Sequence, residues 1–216
     1  RTDFDSSELT VDFGFFQQLT QMSLGNRVWI DDGDGVGGVA NDGLINGGEV
    51  GIDGVVLNLY FDNNSDGIPD DNGAPGLADD IIDTQTTING GYYLFDSLDP
   101  GRYIVQIPAS NWAPTTGALE NYFSSTVTTA TENVDSNDNG IDQATYPDYV
   151  ANGLLSNTIQ LVPQGEPIAG DDDSVSGIGN ADGDNNSDNT VDFGFYKLMS
   201  IGNRVWIDED GAPATD

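Results

Sequence analysis

Two motifs near one end of this 216-residue chain return near the other. Thr10-Val11-Asp12-Phe13-Gly14-Phe15 reappears as Thr190-Val191-Asp192-Phe193-Gly194-Phe195. Ser23-Leu24-Gly25-Asn26-Arg27-Val28-Trp29-Ile30-Asp31 reappears as Ser200-Ile201-Gly202-Asn203-Arg204-Val205-Trp206-Ile207-Asp208. The first motif closes one unit and the second opens the next. The opening motifs stand 177 residues apart, Ser23 to Ser200. That is far beyond the roughly 20–50-residue period of a solenoid, so each unit must fold around a core of its own. The expected organisation is residues 1–22 as the tail strand of a preceding repeat plus linker, 23–196 as one complete repeat, and 197–216 as a linker and the first strand of the next. The links, residues 16–22 and 196–199, are short, so neighbouring units must sit close together.

Inside the repeat, apolar residues alternate with the period of strands. Val55, Leu57, Leu59 and Phe61 share a face, as do Tyr103, Val105 and Ile107, and likewise Val191, Phe193 and Phe195. Residues 92–95 and 158–162 add two more candidates, and turns such as Asn89-Gly90-Gly91 and Asp99-Pro100-Gly101 separate them. Only residues 147–155 could hold a short helix. The pattern predicts an all-β, immunoglobulin-like sandwich.

Charge narrows the function. The chain carries 37 acidic residues against 5 basic ones, a formal charge of -32. Such a surface repels nucleic acid and anionic membranes, and no stretch reaches the roughly 18 apolar residues of a membrane-inserted helix. There is no Cys and no His. Disulfides, thiolate nucleophiles, imidazole bases and the usual zinc ligands are therefore excluded. Catalysis would rest on carboxylate pairs alone, and no constellation of that kind is expected.

Glu occurs only at positions 8, 49, 120, 132, 166 and 209, so nearly all the acid is Asp. Short Asp side chains suit oxygen-lined loops. In residues 62–70, oxygen side chains fall at relative positions 1, 3 and 5 with Gly67 at 6, the opening of a calcium loop. Its expected ligands are Asp62, Asn64, Asp66 and Asp70, with the Ile68 carbonyl as a fifth. Residues 135–142 repeat the arrangement with Asp135, Asn137, Asn139 and Asp142. A looser third set is Asp31, Asp34, Asp42, Asn46 and Glu49, and a fourth is Asp182, Asp184, Asn186 and Asp188. Several Ca²⁺ ions, three or more, are expected. They would relieve the repulsion among crowded carboxylates and act as the staple that cysteine does not provide. Adaptation to high salt would instead scatter acid over exposed strand faces.

The motifs together resemble the B-type repeat of bacterial serine-aspartate repeat surface proteins. The likeness runs through Gly25-Asn26-Arg27-Val28-Trp29-Ile30-Asp31, Gly51-Ile52-Asp53-Gly54-Val55-Val56-Leu57-Asn58-Leu59, Gly91-Tyr92-Tyr93-Leu94-Phe95, Pro100-Gly101-Arg102-Tyr103-Ile104-Val105 and Thr190-Val191-Asp192-Phe193-Gly194-Phe195-Tyr196-Lys197. It implies a prealbumin-like, collagen-adhesin B-type sandwich serving as a calcium-loaded stalk or filament unit outside the cell. The Lys–Asn isopeptide bond of some such domains needs a Lys in an early strand, and the one Lys here is Lys197. The repeat is also enlarged at residues 35–41 and 111–148. Asn111-Trp112-Ala113-Pro114 in the second insertion is where an alternative adhesin role, with a host, matrix or glycan ligand, would be sought. The expected partners are neighbouring copies or adjacent repeats of the same protein, head to tail, with residues 11–15 or 204–207 completing a sheet in the next copy.

Overall fold

In a computed structural model, residues 20–62, 64–69, 81–126, 133–141, 153–168 and 183–198 are described. The expected sheet-completing segments at residues 11–15 and 204–207 lie outside them, as do Asp70, Asp142 and Asp182.

The described residues form ten strands in two sheets. The strands are β1 (Met22–Ile30), β2 (Val56–Phe61), β3 (Asp83–Thr86), β4 (Tyr92–Leu98), β5 (Gly101–Ile107), β6 (Phe123–Ser124), β7 (Leu154–Leu155), β8 (Ile159–Leu161), β9 (Ser187–Asp188) and β10 (Phe193–Tyr196). One sheet runs β4-β1-β10-β6 with β9 also beside β1, and the other runs β3-β2-β5-β7 with β8 also beside β5. Residues 147–152 of the stretch that could hold a short helix lie outside the described residues, and Leu154 and Leu155 form a strand. They pair with β5 opposite Ile107 and Gln106.

The apolar faces read from the sequence meet between the sheets. Val55, Leu57, Leu59, Val105, Ile107, Phe193 and Phe195 are fully buried, and Tyr103 and Val191 nearly so. Each such side chain stabilises the sandwich by about 1.5–3 kcal/mol. The outer face of the second sheet carries polar pairs. Tyr60 Oη donates to Gln106 Oε1 at 3.2 Å and Thr84 Oγ1 donates to Asn58 Oδ1 at 3.0 Å, a polar ladder across three strands.

The duplicated motifs become neighbours. β1 and β10 pair in parallel, with Val28 opposite Phe193, Trp29 opposite Gly194 and Ile30 opposite Phe195. Gly194 has a packing reason, because a Cβ there would stand 2.6 Å from the Trp29 ring. Trp29 is fully buried. Trp112, the residue with a possible ligand role, is an end plug. Its ring meets Phe195 edge-on at 5.9 Å and its Nε1 donates to the Tyr122 carbonyl at 3.1 Å. Beside it, the Asn111 amide accepts from Val56 N–H at 2.8 Å and donates to the Val56 carbonyl at 2.9 Å, mimicking a strand residue at the edge of β2.

Parallel pairing has a consequence for direction. The strand that opens the unit and the strand that closes it point the same way, so the chain enters at one pole and leaves at the other. Met22 lies opposite Leu98, just before the turn into β5, and β2 ends where Phe61 meets Tyr103. Residues 62 and 64–69 therefore sit at the leading pole. Residues 31–49 follow Ile30 and sit at the trailing pole, where Asp31 N–H donates to the Phe195 carbonyl at 2.7 Å.

Candidate metal centre

The Asp62 loop is built as a ladder of side-chain oxygens folded onto its own backbone. Asp66 N–H donates to Asp62 Oδ1 at 3.1 Å and to Asn64 Oδ1 at 2.9 Å, so both oxygens converge on one amide. Gly67 N–H donates to Asp62 Oδ2 at 3.3 Å and Ile68 N–H to Asp66 Oδ1 at 2.9 Å. The turn needs left-handed backbone at Ser65 (φ 61) and Gly67 (φ 76), which is why glycine suits the sixth position. Asp62 is fully buried and also accepts from Thr158 Oγ1, while Asn64 and Asp66 are exposed. Two carboxylates and an amide thus gather at the three expected positions, a donor set that fits calcium.

In the third set the structure brings together Asp31, Asp42, Asn46 and Glu49. Gly43 N–H donates to buried Asp31 at 2.9 Å, Asn46 Nδ2 to Asp42 at 3.0 Å, and Asn46 N–H to Glu49 Oε2 at 3.0 Å. Burial pushes the Glu49 carboxyl up. The amides of Asn46 and Gly33 pull it down, and the negative charges of Asp31 and Asp42 push it up again. Asp34 stands apart, exposed, with its carboxylate turned to Gly35 N–H at 2.8 Å.

The remaining two sets are spent differently. In the Asp135 loop, Asn139 Oδ1 accepts from Asp192 N–H at 2.7 Å, and Asp138, between the expected positions, accepts from Gly140 and Gly194 N–H at 2.9 and 3.2 Å. Asp135 instead faces Asn26, whose Nδ2 lies 2.6 Å from Asp135 Oδ1 and 3.3 Å from Asp192 Oδ2. In the fourth set, Asp188 is buried in β9 and accepts from Thr190 Oγ1 at 2.6 Å, Asn186 accepts from Gln164 N–H at 2.9 Å, and Asp184 is half-buried. Among the described residues no three acidic side chains, those of the third set included, come close enough together to hold a metal ion, so any cation here would take a mixed set of carboxylate, amide and carbonyl oxygens. Sequence spacing missed Asn26, Asp138 and Asp192. For Asn26 and Asp192, their place in the duplicated motifs was the available signal.

No family profile matches the chain. Its sequence relatives include a fibrinogen-binding protein of Staphylococcus epidermidis, 38% identical over 98 residues. They also include serine-aspartate repeat-containing protein I of Staphylococcus saprophyticus, 35% over 101 residues, and protein F of Staphylococcus epidermidis, 34% over 100 residues. These matches cover 45%, 47% and 46% of this chain but only 7%, 4% and 5% of the relatives. The minor pilin of Streptococcus agalactiae aligns over 87% of this chain and 49% of its own, at 12% identity and a TM-score of 0.33. A likeness that loose decides nothing, and the fold rests on the two sheets themselves. By those sheets the chain is a β-sandwich module, and over about half its length it is similar in sequence to the staphylococcal serine-aspartate repeat proteins.

Proposed function

We propose that this module is a calcium-stabilised spacer, repeated head to tail in a stalk or filament outside the cell. The observation that carries this reading is the parallel pairing of β1 with β10, which separates the points of entry and exit. Units joined by a link of residues 196–199 then extend in line instead of folding back. Each junction turns the acidic residues 31–49 of one unit toward Asp62 and Asp66 of the next. Bound calcium neutralises both, within a Debye length of about 8 Å at physiological salt.

A ligand-binding role has a relative in its favour, since one is named for binding fibrinogen. In this chain, however, Asn111 and Trp112 are buried and engaged with β2 and the sandwich end. That supports spacing over adhesion. Metal analysis after dialysis against calcium in sodium chloride tests the reading. Three or more calcium ions per chain are expected. A chain that emerges without calcium, and melts identically in calcium and in sodium chloride of equal ionic strength, would leave a spacer that calcium does not stabilise.

A further inference from the structure

Among the described residues, every large aliphatic side chain that is exposed lies in a loop, and none lies on a strand. Single exposed aliphatics are ordinary on a protein surface, but here a set of them stands at each pole. At the trailing pole are Val36, fully exposed, Val50, whose carbonyl accepts from Ile30 N–H at 2.8 Å as β1 ends, and Leu198, just beyond β10. At the leading pole are Ile68 and Ile81, the latter beside Ile82, whose N–H donates to the Leu59 carbonyl at 2.8 Å near the end of β2. Ile168 joins them, just past Glu166, whose N–H donates to the Asn185 carbonyl at 3.3 Å where β9 meets the start of β1. Apart from Val36, these side chains are 49% to 68% exposed, so each is free to be covered.

The link that leaves the trailing pole is short and held to its own unit. Lys197 Nζ stands 3.9 Å from the centre of the Tyr122 ring, a cation–π contact, and the Tyr196 ring packs against Phe123 at 5.6 Å. In the sequence, Lys197, Leu198 and Met199 alone separate Tyr196 from Ser200, where the opening motif begins again. That stretch of chain spans at most about 14 Å. Two packed sheets sit about 10 Å apart, so loops projecting from both poles into such a gap must touch. A link this short also holds the two surfaces at an effective concentration in the millimolar range. A contact too weak to pair separate chains therefore forms at the junction.

We infer that the trailing pole of one unit docks on the leading pole of the next copy through an apolar contact, with Val36, Val50 and Leu198 on one side and Ile68, Ile81 and Ile168 on the other. The junction is then a fixed joint and not a hinge. The inference rests on the head-to-tail reading above and on no bound ion. Charge sets the sign of the salt response. Asp34 and Asp66 are exposed at opposite poles and repel across the joint, so the attraction comes from the apolar groups. Screening that repulsion tightens the joint. The link ahead of β1, residues 16–22, is longer, so the joint described is the one that follows β10.

Pulsed electron paramagnetic resonance tests this, because a chain without cysteine takes spin labels only where cysteines are introduced. The whole chain is extended by one unit, as residues 1–199 followed by residues 23–216, and Thr86→Cys, exposed on β3, labels each unit. The expected distance distribution is a single narrow peak, kept or sharpened in about 1 M sodium chloride, where the Debye length is about 3 Å. Val36→Ser with Ile68→Ser in both units should broaden it at least about twofold, toward that of a flexible link. Leu198→Ser with Ile168→Ser should do the same. All four side chains are exposed, so the 216-residue chain carrying either pair should melt with the wild type. A broad distribution in the parent would overturn the inference and leave the poles open to another ligand. A narrow one that both pairs leave unchanged, or that salt broadens, would overturn it in favour of a polar joint. A broad distribution centred on a long distance sinks this inference alone. A short distance from units lying side by side would bring down the in-line spacer reading as well.

Discussion

One spacing, Asp-x-Asn-x-Asp/Asn-Gly, occurs at residues 62–67 and again at 135–140, and the two stretches fold in different ways. The first turns mostly on itself, since Asp62, Asn64 and Asp66 accept from amides of their own loop, with Thr158 Oγ1 donating to Asp62 from outside. The second is drawn outward, as Asp135 meets Asn26, Asp138 meets Gly194, and Asn139 meets Asp192. The surroundings make the difference. Asn64, Ser65 and Asp66 are exposed at a pole, whereas residues 137–140 are buried between residues 43–45 and the start of β10. Spacing specifies which donors a loop owns, and burial decides whom they serve.

The largest effect should come from the buried loop. Asp138→Ala strands the amides of Gly140 and Gly194, and each buried unpaired amide costs about 1–3 kcal/mol. Urea unfolding of the chelated chain should therefore show a loss of about 3 kcal/mol. A loss below about 1 kcal/mol would erase the distinction between the loops. Asp66→Ala in the same chelated chain should cost less than about 1 kcal/mol, as surface substitutions do. It should cost more once calcium is present, and an equal cost in both conditions would mean that the Asp62 loop holds no ion.

This contrast also marks how far the sequence could be read. Alternation exposed the inward faces of β2, β5 and β10, because a side-chain period of two is local information. Repetition pointed to β1 and β10 as partners only after the structure set Trp29 against Gly194. The Asp62 ladder was legible because its hydrogen bonds span at most five residues. The Asn26–Asp135–Asp192 cluster was not, since it joins residues 109 and 166 positions apart through tertiary contacts. Trp112 looked available from its loop composition and is instead a core plug, which only packing could reveal.

The smallest effect concerns Glu49, between the two cases in burial. Its carboxyl titrates above its ordinary 4.5 in the folded chain, chiefly through burial. The folded state therefore holds that proton to higher pH than the unfolded state, so the charged form costs stability above the folded value and the cost vanishes as pH falls to the unfolded one. The stability of Glu49→Gln relative to the chelated wild type should accordingly fall as pH drops from 7 toward 4.5. A flat difference would show that neither burial nor the charges of Asp31 and Asp42 raise it.

Thermal unfolding with calcium and with chelator, at matched ionic strength, bears most directly on calcium as the staple of this fold. At a hundredfold excess over its dissociation constant each ion adds about 2.7 kcal/mol, and each kcal/mol moves the Tm of a domain this size by about 2–4 °C. Three ions should then raise Tm by about 15 °C or more. Superimposable melting curves in calcium and chelator would contradict it.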